Sequence, residues 1–166
     1  MFKLSILISS VFILTFLSCG KAEAEKRAGF SYENMSSETK KTSTEAKVLA
    51  SEKIDLINKG IGPVTSLELP NNIDYTLAKS GEAIFKKMCT ACHRPDKKFI
   101  GPAAKGILKT RTPEWIMNMI LNPEEMIRKD PLAKELLIEF NYAPMIKQDL
   151  TQEDARAILE YYRTLN

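Results

Sequence analysis

Apolar residues are distributed unevenly along the chain, and the unevenness divides it. From Leu4 to Leu17 they run almost unbroken, interrupted by Ser5, Ser9, Ser10 and Thr15, behind a single cation at Lys3. A charged start and an apolar middle of about 14 residues, short of the roughly 20 that a spanning helix needs, make a secretory signal over residues 1–18. An uncleaved anchor is the second reading. From Gly20 to about Thr44 the chain is rich in Lys, Glu, Ser and Thr and poor in aliphatics, too little apolar surface to offset the entropy of ordering. Residues 19–56 are therefore expected to be a flexible tether. Within it Val48, Leu49, Ile54 and Ile57 leave room for a short helix before Gly60, Gly62 and Pro63 break the pattern. Val64, Leu67 and Leu69 then follow no period, so residues 57–73 read as an extended strap.

Helical periodicity begins near Asp74. Leu77, Gly81, Ile84, Phe85 and Met88 fall on one face of a helix that runs into Cys89. Thr112-Pro113, Asn122-Pro123 and Asp130-Pro131 each pair an N-cap residue with proline at the first helical position, which predicts three further helix starts. Thr151 and Asp154 make a capping box for a last helix carrying Ala155, Ile158, Leu159, Tyr162 and Leu165 on one side. No segment alternates with period two for long enough to make a strand. Residues 74–166 are expected to be an all-α domain of four to five helices.

Composition changes this picture little. At 166 residues, with 44% hydrophobic and 27% charged residues, the chain has room for one domain and a modest excess. A net charge of +3, with no dense basic run interleaved with aromatics, argues against nucleic acid. The inventory of metal-capable side chains is more informative: three cysteines and one histidine.

Two of those cysteines and the histidine are adjacent, in Cys89-Thr90-Ala91-Cys92-His93. Two thiols at this spacing, followed at once by histidine, suit one covalent haem c: each thiol adds across a vinyl group and the imidazole reaches the iron from the same side. A redox dithiol is expected in a βαβ context, which is lacking. A structural zinc site needs four ligands, which this chain does not supply. With His93 the sole histidine, bis-histidine ligation within one chain is impossible.

On these features residues 74–166 resemble a class I bacterial cytochrome c: Gly81-x-x-x-Phe85 leading into Cys89-x-x-Cys92-His93, then Gly101-Pro102, a late methionine, and a final helix ending Tyr161-Tyr162-Arg163-Thr164-Leu165. The resemblance implies a cytochrome c fold and electron transfer rather than enzymatic turnover. It also implies His and Met axial ligands. Among the methionines, Met1 and Met35 lie in the signal and tether, Met88 directly precedes Cys89, and Met117, Met119 and Met126 sit in helical patterns. Met145, in the irregular stretch Asn141 to Met145, stands where the family places its ligand. The same resemblance gives the Pro102 carbonyl a hydrogen bond from His93, with Gly101 forming the turn. It makes the crossing of Gly81 and Tyr161 structural. Trp115 has two readings, a core residue or a donor from its indole N–H to a haem propionate.

Phe16-Leu17-Ser18-Cys19 resembles the lipobox of bacterial lipoproteins, although Phe16 and Leu17 depart from its preferred residues. With Cys89 and Cys92 committed to haem, Cys19 is an odd exported cysteine, and lipidation accounts for it. The expectation is a lipid-anchored monomer on the periplasmic side of a bacterial membrane, with a soluble periplasmic form as the alternative. Residues 86–111 hold Lys86, Lys87, Arg94, Lys97, Lys98, Lys105, Lys109 and Arg111 against Asp96 alone, whereas residues 112–166 hold six cations and ten anions. Such a dipole would steer the basic half towards an acidic redox partner. Arg111 to Ile120 and Asp130-Pro131 are similar to small cytochromes that accompany nitrous oxide reductases, and a terminal oxidase is an equal expectation for the partner. The competing class is a haem enzyme or gas sensor with an open distal site for peroxide, nitric oxide or carbon monoxide.

Overall fold

The structure is a computed structural model and describes residues 48–165. The signal, Cys19, Met35 and most of the tether lie outside the described residues. Among the described residues five helices follow in order: α1 (Tyr75–Met88), α2 (Pro113–Leu121), α3 (Pro123–Lys129), α4 (Pro131–Glu139) and α5 (Gln152–Thr164), with a single 3₁₀ turn at Ile107–Lys109. Among the described residues there is no strand, only an isolated parallel bridge between Asp55 and Arg111. The fold is all-α.

Helix starts follow local chemistry. The Asp74 side chain accepts from the amides of Thr76 and Leu77 to open α1, Thr112 accepts from Trp115 to open α2, and Asp130 accepts from Ala133 to open α4. Thr151 and Asp154 form the reciprocal capping box of α5. Such caps satisfy amides that would otherwise lack partners at a helix start. Asn122 departs from expectation. Its side chain makes no cap bond to α3 and instead donates from Nδ2 to the Ile61 carbonyl at 3.2 Å, because the strap competes for the amide.

The core is built on the crossing of α1 and α5. A Cβ added at Gly81 would lie 1.9 Å from the Ala157 carbonyl oxygen, so only glycine allows this approach. Beside it Phe85, fully buried, meets Tyr161 at a centroid distance of 5.4 Å and Tyr162 edge-on at 5.8 Å, an arrangement that aromatic quadrupoles favour. The buried stripe of α1 is Ala78, Gly81 and Phe85, one position round from the stripe read in the sequence; Leu77 and Ile84 are half-buried at its edge.

Residues 48–73 pack onto this domain. Asn118, 1% exposed, holds the strap with three bonds: Nδ2 donates to the carbonyls of Lys59 (2.9 Å) and Val64 (2.8 Å), and Oδ1 accepts from the Val64 amide (2.9 Å). Arg163 donates to the carbonyls of Pro70, Asn71 and Asn72. The stretch 48–56, read from sequence as the end of the tether, is held as well, and none of it is helical. Arg111, 3% exposed, donates to the carbonyls of Ala50 (2.6 Å) and Lys53, and the Asp55 amide donates to the Thr110 carbonyl at 2.9 Å. A buried guanidinium needs acceptors, and these carbonyls provide them.

Candidate haem site

Cys89 occupies the C-terminal cap of α1, its amide bonded to the Phe85 carbonyl at 2.9 Å. The chain then tightens into one further turn, with the amides of Cys92 and His93 both donating to the Cys89 carbonyl (3.1 and 2.9 Å). This geometry brings two free thiols and an imidazole into a single turn. Cys92 is exposed and Cys89 half-buried. Burial, and secondarily the neighbouring Cys92, push the Cys89 thiol up to about 11, opposite to the depressed value of a redox-active dithiol.

The segment after His93 folds back on the ring. Gly101 donates to the Cys92 carbonyl (2.9 Å) and accepts from Phe99 (3.0 Å), and the Pro102 carbonyl oxygen lies 3.0 Å from His93 Nδ1. With Nδ1–H donating there, the Nε2 lone pair is left to a metal. Gly101 is buried against the imidazole: a Cβ on it would stand 2.5 Å from His93 Cε1 and 2.9 Å from Nδ1. The Arg94 guanidinium, 4.1 Å from the Phe99 ring centroid, closes the same loop on its outer side.

Met145 lies in the irregular segment between α4 and α5, half-buried and packed against the core. Two other methionines have their own places. Met126, fully buried, accepts the Ile61 amide on its sulfur at 2.9 Å, and Met117 is core at 3% exposure. Trp115 is also core. It is 3% exposed and its indole N–H donates to Asp130 Oδ1 at 3.3 Å. The Thr112 cap aims residue 115 inward, at the carboxylate that caps α4. Asp130, which carries the caps and this bond together with Asn58 Nδ2 (2.7 Å), has no sequence signal beyond its place before a proline.

The donor set fits a c-type haem: two free thiols, one imidazole with a fixed tautomer, and a thioether packed at the edge of the core. Among the described residues no group of three or more His, Cys, Asp or Glu side chains gathers as a separate metal site.

A profile of the family described as cytochrome c matches residues 78–166, just over half of the chain. The chain is similar to the solved cytochrome c from Rhodothermus marinus, at 45% identity over 70% of this chain and 93% of that one, with a TM-score of 0.61. An engineered form of that cytochrome bound to a carbene intermediate matches at 46% identity over 70% and 94%, with a TM-score of 0.58. Cytochrome c2 from Rhodopseudomonas palustris is 55% identical over 31 residues, which span 19% of this chain and only 22% of that relative. The chain belongs to the cytochrome c family, and it carries one covalent haem c.

Proposed function

We propose that this protein is an exported, membrane-tethered electron carrier that passes single electrons to or from a respiratory oxidoreductase on the periplasmic side of a bacterial membrane. The observation that carries the reading is the constrained imidazole: the Pro102 carbonyl accepts a hydrogen bond from His93 Nδ1 at 3.0 Å and Gly101 lets the loop close on the ring. A ligand held this way keeps its place through both oxidation states. When bound, the haem supplies reversible one-electron iron chemistry. Cys89 and Cys92 would anchor it through thioethers, and His93 and Met145 would ligate its iron. No side chain then serves as a distal acid or base.

Cys19 would supply a lipid anchor, and the tether after it the reach to a partner. Among the described residues no helix is long and apolar enough to cross a membrane. Lys86, Lys87, Lys97, Lys98 and Lys105 are all exposed on the segment that flanks Cys92 and His93, together with Phe99 at 48% and Ile100 at 46%. Cations around an apolar tip suit an acidic partner and a rate that falls with salt. A terminal oxidase or a reductase such as nitrous oxide reductase fits that description.

Mixing the reduced holoprotein with carbon monoxide at neutral pH tests the reading. The carrier binds it slowly or not at all, because Met145 closes the site. Rapid binding would replace the carrier with an open-site enzyme or gas sensor. Recovery of a Cys19→Ser variant in the membrane fraction would remove the lipid tether from the account; release into the soluble periplasm is the expected result.

A further inference from the structure

One buried carboxylate lies outside everything assigned to the haem. Glu139, the last residue of α4, has a side chain only 8% exposed, and its two oxygens face the opposite end of the described chain. Ser51 donates from its amide to Oε2 at 2.8 Å and from its hydroxyl to Oε1 at 2.6 Å. Lys98 Nζ, on the loop between His93 and Gly101, stands 3.6 Å from Oε1 and 4.3 Å from the centroid of the buried Phe140 ring. Three segments far apart in sequence thus meet on one carboxylate. Burial by itself would push this carboxyl up, but the Ser51 hydroxyl and amide and the Lys98 ammonium bring it below the usual carboxylate range, so it is an anion here.

The chain that leaves Glu139 is under strain. Asn141 and Tyr142 both adopt left-handed backbone conformations, with φ of 56° and 59°, a region that costs residues with a Cβ. Tyr142 is 69% exposed, so burial of its own ring does not offset the cost. The turn is closed by the amides of Asn141, Tyr142 and Ala143 donating back to Ile138, Leu137 and Phe140. Beyond it, among the described residues, no backbone–backbone hydrogen bond ties residues 144–150 to the rest of the protein. The segment that bears Met145 is therefore held at its start and by side-chain packing.

We infer that Glu139 is a positioning residue for the methionine ligand: its carboxylate latches the Met145 loop to Ser51 of the N-terminal segment and to Lys98 of the loop behind His93. The latch rests on the reading of Met145 as an axial ligand. Residue 51 precedes the family match at residues 78–166, so the segment before that match helps set the ligand. Two hydrogen bonds to a buried anion are stronger than neutral ones, and losing them frees a strained turn. Lys98, 58% exposed on its side chain, contributes less than Ser51 because water screens it.

The test uses the full-length holoprotein with Glu139→Gln, Ser51→Ala and, as a control on the same N-terminal segment as Ser51, Lys53→Ala, which breaks the exposed pair with Glu135 of α4 and leaves Glu139 untouched. Two readouts are taken: hydrogen exchange at the amides of Tyr142 and Ala143, and the rate of carbon monoxide binding to the reduced protein. Glu139→Gln should raise both on the order of tenfold, since two charge-assisted bonds are weakened. Ser51→Ala should raise both by less, because the Ser51 amide remains, and Lys53→Ala should change neither. Unchanged exchange and unchanged binding in Glu139→Gln and Ser51→Ala would overturn the latch, as would an equal effect of Lys53→Ala. If Glu139→Gln fails to fold, Ser51→Ala decides alone. If wild type binds carbon monoxide rapidly, the ligand reading has failed, and the inference that depends on it is overturned with it. If wild type excludes the gas and the variants do nothing, only the latch has failed.

Discussion

The two sides of the proposed haem site, His93 on one and Met145 on the other, are held in place by different means. The proximal side is local: Cys89, Cys92, His93, Gly101 and Pro102 bond to one another within 14 residues of sequence, His93 to Pro102 across nine. The Met145 side is remote. Its loop begins at a carboxylate whose partner, Ser51, is 88 residues away, and the segment that carries Ser51 is itself fixed by contacts such as Arg111 with Ala50, 61 residues apart. A locally encoded ligand can form wherever the turn forms, whereas a remotely encoded one waits on the whole fold. The proximal ligand should thus be robust and the distal one adjustable.

The largest effect that sharpens this comparison is on attachment. In a Cys89→Ser, Cys92→Ser double variant, haem should be lost completely from the denatured chain, as read by peroxidase staining after electrophoresis, because no thioether forms. Retention of covalent haem would remove the motif from its assigned role. A smaller effect is expected from Gly101→Ala, whose methyl would stand 2.5 Å from the imidazole; the loop must shift, at about 2 kcal/mol by denaturant titration, with a changed reduction potential as His93 loses its fixed contact with Pro102. A Gly101→Ala protein with unaltered stability and potential would mean that the proximal side is not held as tightly as the geometry implies.

The smallest effect belongs to the remote scaffold. Trp115→Phe keeps a ring in the core but removes the bond to Asp130, and should cost about 1 kcal/mol while leaving the reduction potential unchanged. A shifted potential with stability preserved would return the indole to the haem.

Sequence legibility follows the same division. The haem motif, the Gly-Pro turn, all five helix starts and the tight crossing at Gly81 could be read because each depends on residues a few positions apart or on a glycine with no space for a side chain. The cap bond expected of the Asn122 side chain could not be read correctly, since a strap carbonyl 61 residues away competes for it. Residues 48–56 have the composition of a tether, and partners far along the chain hold them to the domain, among them the buried Arg111, whose guanidinium needs their carbonyls. The Trp115 ambiguity was a question of one partner, and Asp130 carries no mark in the sequence of being that partner. Glu139 and Ser51 were absent from every sequence pattern: an ordinary glutamate on a helix and an ordinary serine in a polar stretch meet only through the fold.

The account stands most directly on the identity of the distal ligand, and an optical spectrum of the oxidised holoprotein reads it. A weak sulfur-to-iron band at the red end that is present in wild type and gone in Met145→Ala is the predicted result, and it leaves a closed His93/Met145 carrier. Absence of the band in wild type, with a high-spin iron, would contradict the account, because Met145 would then not be a ligand and the site would be open.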